Sequence, residues 1–334
     1  KDSLVIVTPA LADANNGNWQ TAHRWARMLQ PAYRVRLASH WDKEDVGADD
    51  EASMMIALHA RRSAPSIAAW RAAHPRRPLV LALTGTDLYR DIDVDASAQQ
   101  SLAAADLLIT LNERGAQRLP PQLRAKCRVV LQSCSARAPL AKTDKHLRVI
   151  AVGHLRAEKD PRTLFRAVQR LADRTDILFD HVGTALDPAL GQEAAALAAS
   201  NPQYRWLGGL PHDAARRRIQ AAHLLVQPSV MEGGAHTVIE AIRSGTPVLA
   251  SRIDGNLGLL GDDYEGIFEV GDDAGLCELI RRARDDGTML ARLQQQLARR
   301  APLFSPEAER ASLLRILLQD LPALSQASGT PSPS

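Results

Sequence analysis

The residue pattern with the clearest chemical meaning lies between residues 227 and 241, where two glutamates, Glu232 and Glu240, are separated by seven residues. Gly233 and Gly234 follow the first glutamate, and we predict that a helix begins about Ala235. The free N–H groups and the positive dipole end of a helix start favour a phosphate. Glu240 lies one to two turns further on, close enough to accept hydrogen bonds from a ribose. The segment predicts a nucleotide diphosphate site, although a surface carboxylate beside a helix cap would show the same pattern.

Further polar residues follow predicted strands in the first half of the chain. His59 ends one buried apolar run, and a segment from Thr84 to Asp87 ends the next. Ligands of open α/β sheets bind outside the carboxyl ends of the strands, so we expect both segments to face a ligand. Arg61 and Arg62 favour an anionic acceptor, because guanidinium binds phosphate bidentately and stays charged. A structural histidine and solvated arginines at a helix start are the alternatives.

A short polar loop, Asn15, Asn16 and Gly17, separates the first predicted strand from a helix. Apolar residues of that helix recur at i, i+3, i+4 and i+7, which is the spacing of a core-facing stripe, so Trp25 is assigned to packing. Gly17 then lies where the backbone can approach a ligand closely. A plain turn before a helix is the alternative reading.

Short β-rich apolar runs alternate along the chain with longer alanine- and leucine-rich stretches of helical period. This alternation is typical of parallel sheets with crossover helices, so the fold class is α/β. The predicted strands of the first half are residues 4–8, 33–38, 54–58, 79–84, 107–111 and 128–131. Those of the second half are residues 148–152, 177–182, 204–207, 224–227, 247–250 and 266–269.

The two series of strands predict two Rossmann-like domains. Residues 136–145 carry Pro139, mixed charges and no periodicity, which is typical of an interdomain linker. We therefore predict an N-terminal domain over residues 1–145 and a C-terminal domain over residues 146–304. A helix over residues 305–320 and a flexible tail over residues 321–334, rich in Ser, Pro and Gly, complete the prediction.

The composition is that of a globular protein of two domains, with 45% hydrophobic and 24% charged residues among 334. The net charge of +3 is small and the arginine pairs are scattered, so we expect no nucleic-acid partner. No apolar run approaches the roughly 20 residues of a membrane span, and we expect a cytoplasmic protein without a membrane partner. The three cysteines lack metal-ligand spacing, and the acidic doublets lie in predicted loops, so we expect no metal.

The two spaced glutamates resemble the signature of the family 4 glycosyltransferases, which have the GT-B fold. The resemblance implies two Rossmann-like domains facing each other across a cleft. It also implies that Glu232 contacts the hydroxyls of the donated sugar and that Glu240 holds the nucleotide ribose. His59 matches a histidine that the family often has at a strand end, and Thr84 replaces a second one. The resemblance also places Gly17 of the first domain at the nucleotide sugar. Between the glutamates it places Gly233, Gly234, Ala235, His236 and Thr237 there.

Residues 148–161 resemble the strand and loop that open the second domain of this family. The resemblance implies that Gly153 and His154 lie at the nucleotide sugar and that Lys159 neutralises its diphosphate. A cation is needed there because the leaving group departs with extra negative charge. The family usually has arginine at the position of His154; in an extended loop Arg156 projects to the same face and can replace that charge.

Segments in both domains resemble a selenosugar-forming group within the family: residues 15–22, 59–63, 84–89 and 153–161. That resemblance implies a UDP-sugar, typically UDP-N-acetylglucosamine, as donor and selenophosphate as acceptor in selenoneine biosynthesis. The products are a selenosugar with a C–Se bond, UDP and phosphate. The implied catalytic residues are Lys159, Glu232, His59 and Arg156. The implied acceptor-binding residues are Asn15, Asn16, Gly17, Arg61, Arg62, Thr84 and Asp87.

Three alternatives stay open at this stage. They are a family 4 enzyme that acts on an ordinary sugar or lipid hydroxyl, a UDP-sugar epimerase or hydrolase, and a UDP-sugar sensor without catalysis. The first has the same donor site and differs only on the acceptor side, and the second should turn over UDP-N-acetylglucosamine without any acceptor. Retention of Glu232, Glu240 and Lys159 together argues against the third. No cofactor and no obligate protein partner are expected in any of them.

Overall fold

A computed structural model describes residues 1–9, 17–43 and 52–328, with side chains described as far as residue 324. The strands are β1 Ser3–Val7, β2 Arg34–Ala38, β3 Met54–Leu58, β4 Leu79–Leu83, β5 Leu107–Thr110, β6 Cys127–Val129, β7 Leu147–Val152, β8 Ile177–Val182, β9 Tyr204–Trp206, β10 Leu224–Gln227, β11 Val248–Ser251 and β12 Ile267–Phe268. All twelve correspond to predicted runs, to within a few residues at their ends.

The helices alternate with these strands. They are α1 Gly17–Leu29, α2 Ala64–Ala73, α3 Ile92–Val94, α4 Ala96–Ala104, α5 Pro121–Arg124, α6 Pro161–Arg170, α7 Pro188–Ser200, α8 His212–Ala221, α9 His236–Ile242, α10 Asp254–Leu260, α11 Asp273–Asp285, α12 Met289–Arg300, α13 Pro306–Arg315 and α14 Leu321–Ser328. Short 3₁₀ turns cover Gly115–Arg118, Ala157–Lys159 and Ala301–Phe304, and π-helical turns cover Asp87–Asp91 and Ile316–Asp320.

The chain divides into two compact units, residues 1–132 with 306–334 and residues 133–305. Each has a six-stranded sheet in which every neighbouring pair is parallel. The strand orders are β2-β1-β3-β4-β5-β6 and β12-β11-β10-β7-β8-β9. Both have the form of a doubly wound sheet, so the predicted pair of Rossmann-like α/β domains is confirmed.

Burial explains the strand pattern of the first unit. Each of β3 and β4 is buried along its whole length, as expected for parallel strands with helices on both faces. Alternate residues supply the two cores, because successive side chains of a strand point to opposite faces. Met55 belongs to the core that contains Trp70 of α2, whereas Ile56 belongs to the core that contains Trp25 of α1.

The C-terminal helices pack on the first unit. Leu313, Ile316 and Leu321 join the core on the α1 face. The fully buried carboxylate of Glu309 in α13 accepts hydrogen bonds from Arg24 Nε at 2.8 Å and Trp25 Nε1 at 2.7 Å. The predicted packing role of Trp25 is confirmed, with an added polar contact.

Two details of the predicted domain organisation differ from the structure. The division between the units falls after residue 132 rather than near 145. Arg137 N–H donates to the Arg243 carbonyl and Gln220 Nε2 to the Ala138 carbonyl, so the predicted linker is held on the second unit. The predicted tail also begins as a helix, α14, because Leu321 is buried in the first unit.

Candidate nucleotide-sugar site

The strand order of the second unit indicates a candidate position for a ligand. The order reverses between β7 and β10, and ligands of doubly wound sheets bind beyond the carboxyl ends of the strands at such a point. The loops that follow these two strands carry Lys159 and Glu232. A pocket opens at their base, lined by Ala151, Val152, Gly153, Lys159, Pro161, Leu164, His181, Val226, Gln227, Pro228 and Ser229.

Lys159 and Glu232 meet directly at this edge of the sheet. Lys159 Nζ lies 2.5 Å from Glu232 Oε1, and both side chains are mostly buried. The same oxygen accepts hydrogen bonds from Gln227 Nε2 at 2.7 Å and Ser229 Oγ at 2.6 Å. Gln227 Oε1 in turn accepts one from Thr237 Oγ1 at 3.2 Å. The network fixes the glutamate loop to the start of α9.

Backbone contacts hold the two loops together. The Val230 N–H donates to the Glu158 carbonyl at 3.0 Å, which joins the glutamate loop to the turn that carries Lys159. Asp160 ends that turn with φ 41° and accepts the N–H of Thr163 to cap α6. A Cβ at Gly255 would lie 2.0 Å from the Glu232 carbonyl oxygen, so this position must be glycine for the loop to sit where it does.

The other predicted residues of the Lys159 loop take different roles. A Cβ at Gly183 would lie 1.9 Å from the Gly153 carbonyl oxygen, so glycine at position 183 leaves room for the loop that follows β7. His154 Nδ1 accepts the Thr184 N–H at 3.2 Å, and burial together with the nearby Arg156 and Lys159 lowers the pKa of His154. His154 is therefore neutral near pH 7 and supplies no charge. The Arg156 side chain is half-exposed, and its backbone is extended.

Glu240 is buried one turn into α9, and two histidines and an arginine lie close to its carboxylate. His212 Nε2 lies 2.5 Å from its Oε1, His236 Nδ1 3.3 Å and Arg216 Nε 3.9 Å. Burial alone would raise the pKa of Glu240, but the hydrogen bonds from His212 and His236 outweigh it and lower the pKa to about 2. The carboxylate is thus ionised at any working pH. It is an acceptor for hydroxyl groups that reach it.

On the first unit, His59 lies at the corresponding reversal of strand order, between β1 and β3. Its φ of 73° is left-handed, a conformation that residues other than glycine rarely adopt. His59 Nδ1 accepts the Arg62 N–H at 3.3 Å, Nε2 lies 3.1 Å from Thr86 Oγ1, and burial lowers the pKa of the imidazole. A neutral, fixed histidine in strained backbone is a candidate functional group, because such strain is concentrated at active sites.

The structure gives Asp87 a role different from the predicted contact with the acceptor. Its side chain is fully buried, and its oxygens accept the backbone N–H groups of Ala60, Thr84 and Gly85 at 2.8–2.9 Å. The carboxylate joins the loops after β3 and β4 and is closed to a ligand. Asp87 therefore positions these loops.

The predicted arginine pair is divided between two environments. Arg61 Nε lies 2.9 Å from the buried carboxylate of Asp91, whereas Arg62 is exposed. Gly17 begins α1, and no atom of the described residues lies within 4 Å of a Cβ placed on it, so those residues do not demand glycine there. Asn15 and Asn16 lie outside the described residues.

The comparisons with known proteins support the fold. Residues 135–301, half of the chain, match the family described as Glycosyl transferases group 1, and the match includes Lys159, Glu232 and Glu240. The chain belongs to the group 1 glycosyl transferases. Membership confirms the predicted family and fold, and it applies to the unit that carries the site.

Curated relatives of this group 1 chain resemble it over part of their length. It is 29% identical over 181 residues to a D-inositol 3-phosphate glycosyltransferase of Streptomyces avermitilis, covering 51% of this chain and 39% of the relative. It is 31% identical over 137 residues to a 2-deoxystreptamine glucosyltransferase of Streptomyces kanamyceticus, covering 40% and 35%. The matched regions span less than half the length of these relatives.

Solved structures resemble nearly the whole chain. A sucrose-phosphate synthase from Thermosynechococcus elongatus superposes with a TM-score of 0.77 at 16% identity, covering 97% of this chain and 100% of its own. The Anabaena protein Alr3699/HepE, in complex with UDP and glucose, superposes with a TM-score of 0.73 at 15% identity, covering 95% and 99%. At such identities the likeness establishes the fold.

Several residues of the site were not predicted from the sequence. Gln227 and Ser229 bond Glu232, His212 bonds Glu240, and Gly255 makes room for the glutamate loop. Gln227 and Ser229 lie within the predicted segment, so a polar residue at the end of an apolar strand was an available signal. His212 precedes Glu240 by 28 residues, and only folding brings them together.

Proposed function

We propose that this chain transfers a sugar from a UDP-sugar held by the second unit. The observation that carries the proposal is the Lys159–Glu232 pair, fixed by Gln227 and Ser229 at the point where the strand order reverses. When a nucleotide sugar enters, its diphosphate offers Lys159 a second anionic partner, and the sugar hydroxyls offer Glu232 donors that replace the ammonium. Glu240 accepts hydrogen bonds from the ribose.

Charge at the leaving group carries the catalytic argument. Breaking the bond between the anomeric carbon and the diphosphate oxygen leaves an extra negative charge on UDP. Lys159 is already held beside the site, so little reorganisation is needed when that charge develops. His154 is neutral, so Arg156 is the second cation that we assign to the diphosphate.

We further propose selenophosphate as the acceptor. The selenium attacks the anomeric carbon as UDP leaves, and hydrolysis of the Se–P bond by water then releases phosphate. The loops of the first unit support an acceptor that is already deprotonated. Both oxygens of Asp87 and Nδ1 of His59 already accept hydrogen bonds from the backbone, so neither is poised to take a proton from a hydroxyl. Arg62 is exposed and can attract the phosphoryl group.

The test is incubation with UDP-N-acetylglucosamine and selenophosphate, followed by mass analysis for a selenium-containing sugar and for UDP. The proposal predicts both products, in equal amounts, and none without the acceptor. Consumption of the UDP-sugar without acceptor would instead identify a hydrolase or epimerase. Formation of a glycoside with an alcohol, but not with selenophosphate, would identify an ordinary hydroxyl acceptor.

A further inference from the structure

Two histidines converge on the carboxylate of Glu240 from different helices. His212 is the first residue of α8, His236 is the first residue of α9, and Glu240 follows His236 by four residues. Residues four apart lie on the same face of a helix. One ligand atom of each of the three side chains lies within 4.8 Å of the others.

The arrangement leaves one side of the cluster open to solvent. The Glu240 side chain is 4% exposed, that of His236 31% and that of His212 65%. The carboxylate therefore lies at the bottom and the two imidazoles line the approach. A small cation can enter from water and keep one or more water ligands.

The distances suit a zinc-like ion. Bonds of roughly 2.0–2.1 Å in tetrahedral geometry place ligand atoms roughly 3.3 Å apart. His236 Nδ1 and Glu240 Oε1 are 3.3 Å apart, and His212 Nε2 is 2.5 Å from the same oxygen. His212 must move back from that oxygen and toward His236 by about 1 Å or more, because the three ligand atoms are spread over up to 4.8 Å. The exposed side chain of His212 permits that movement.

The ligand types of the cluster select among metals, whereas the nearby positive charge does not. Arg216 is buried, with its Nη2 bound to the Ser135 carbonyl at 2.7 Å, and it places positive charge near Glu240. This positive charge disfavours every divalent cation, so binding depends on the two imidazoles, which favour Zn²⁺ over ions that prefer oxygen ligands, such as Mg²⁺ and Ca²⁺. Arg216 Nε is a buried nitrogen with no hydrogen-bond partner among the described residues, and it offers a donor to an oxygen ligand at this place.

We infer that His212, His236 and Glu240 form a binding site for Zn²⁺ or a similar divalent transition metal. Metal bound at this site inhibits the enzyme. This inference rests on the proposed function, in which Glu240 holds the ribose. A metal bound to Glu240 Oε1 occupies an oxygen that the ribose hydroxyls would use. Metal and nucleotide therefore compete for one carboxylate.

The test measures Zn²⁺ binding to the chelator-treated protein without nucleotide, by competition with a chromophoric chelator. Co²⁺ serves as a spectroscopic probe, because its visible absorption reports the coordination geometry. We expect one Zn²⁺ per chain, bound at least about 10-fold more weakly by His212→Asn and by His236→Asn, since each loses a ligand. His23→Asn, an exposed histidine of α1, is the matched control and should match the wild type. Equal affinity in all four proteins, or no saturable binding, would overturn the site.

A second measurement separates this inference from the proposed function. UDP binding is measured by calorimetry with and without Zn²⁺, in the wild type and in His212→Asn. We expect Zn²⁺ to weaken UDP binding to the wild type at metal concentrations that have little effect on His212→Asn. Zn²⁺ binding with unchanged UDP affinity would overturn the inhibitory role alone. Failure to bind UDP in the absence of metal would refute the proposed function and leave the metal result standing.

Discussion

The replacement Lys159→Ala tests the proposed function most directly. The lysine ammonium lies 2.5 Å from Glu232 Oε1 and lines the pocket at the carboxyl ends of β7 and β10. Its removal should leave the fold intact, because Gln227 and Ser229 still donate to Glu232. We expect a loss of about 1 kcal/mol of unfolding free energy, the scale for a partly exposed ion pair.

The effect on turnover should be much larger than the effect on stability. Loss of one preorganised charge partner of a transition state commonly costs roughly 100-fold in kcat, or about 2.7 kcal/mol at 25 °C. Here His154 cannot compensate, since it is neutral and bonded to the Thr184 N–H. Arg156 remains, so the loss should stay near 100-fold rather than abolish activity.

The assay is UDP release from UDP-N-acetylglucosamine with selenophosphate as acceptor, together with calorimetry of UDP binding. Lys159→Arg should recover part of the rate, because it restores the charge with a different shape. Lys145→Ala, an exposed lysine of the same unit, should behave like the wild type. A kcat and a UDP affinity for Lys159→Ala within about threefold of the wild type would refute our view of how the leaving group is stabilised.

Three further predictions follow from contacts in the two units. Gly255→Ala should lower kcat at least about 10-fold while the circular dichroism spectrum stays native, because its Cβ would lie 2.0 Å from the Glu232 carbonyl oxygen; normal activity would show that the glutamate loop tolerates displacement. Glu309→Gln should cost about 2–4 kcal/mol of unfolding free energy in urea, since it removes the charge of a fully buried carboxylate paired with α1; Glu307→Gln, exposed on the same helix, should cost almost nothing. His59→Asn should reduce the free energy of unfolding that the protein loses between pH 7.5 and pH 5.5. In the wild type the unfolded chain takes up a proton in this range, whereas buried His59 resists protonation because its pKa is lowered. Asparagine tolerates the left-handed φ, so an unchanged pH profile would contradict a buried, neutral His59.

The sequence by itself determined the class of fold, and it singled out the segment that carries the candidate site. Apolar runs of strand length, separated by helical periods, located all twelve strands, because side-chain periodicity is a local property of the chain. The spacing of Glu232 and Glu240 likewise placed both on one strand–loop–helix segment. These features depend on residues close together in the sequence, so they need no knowledge of packing.

Tertiary structure alone decided which groups meet these residues. Lys159 pairs with Glu232 although 73 positions separate them, and His212 reaches Glu240 from another helix. Glu309 likewise bonds Trp25, although the two residues lie near opposite ends of the chain. Asp87 appeared from the sequence to be a ligand contact, yet it bonds backbone N–H groups of two loops. A buried polar group must find partners within the folded chain, and which partners are in reach depends on how the strands are ordered and how their loops pack.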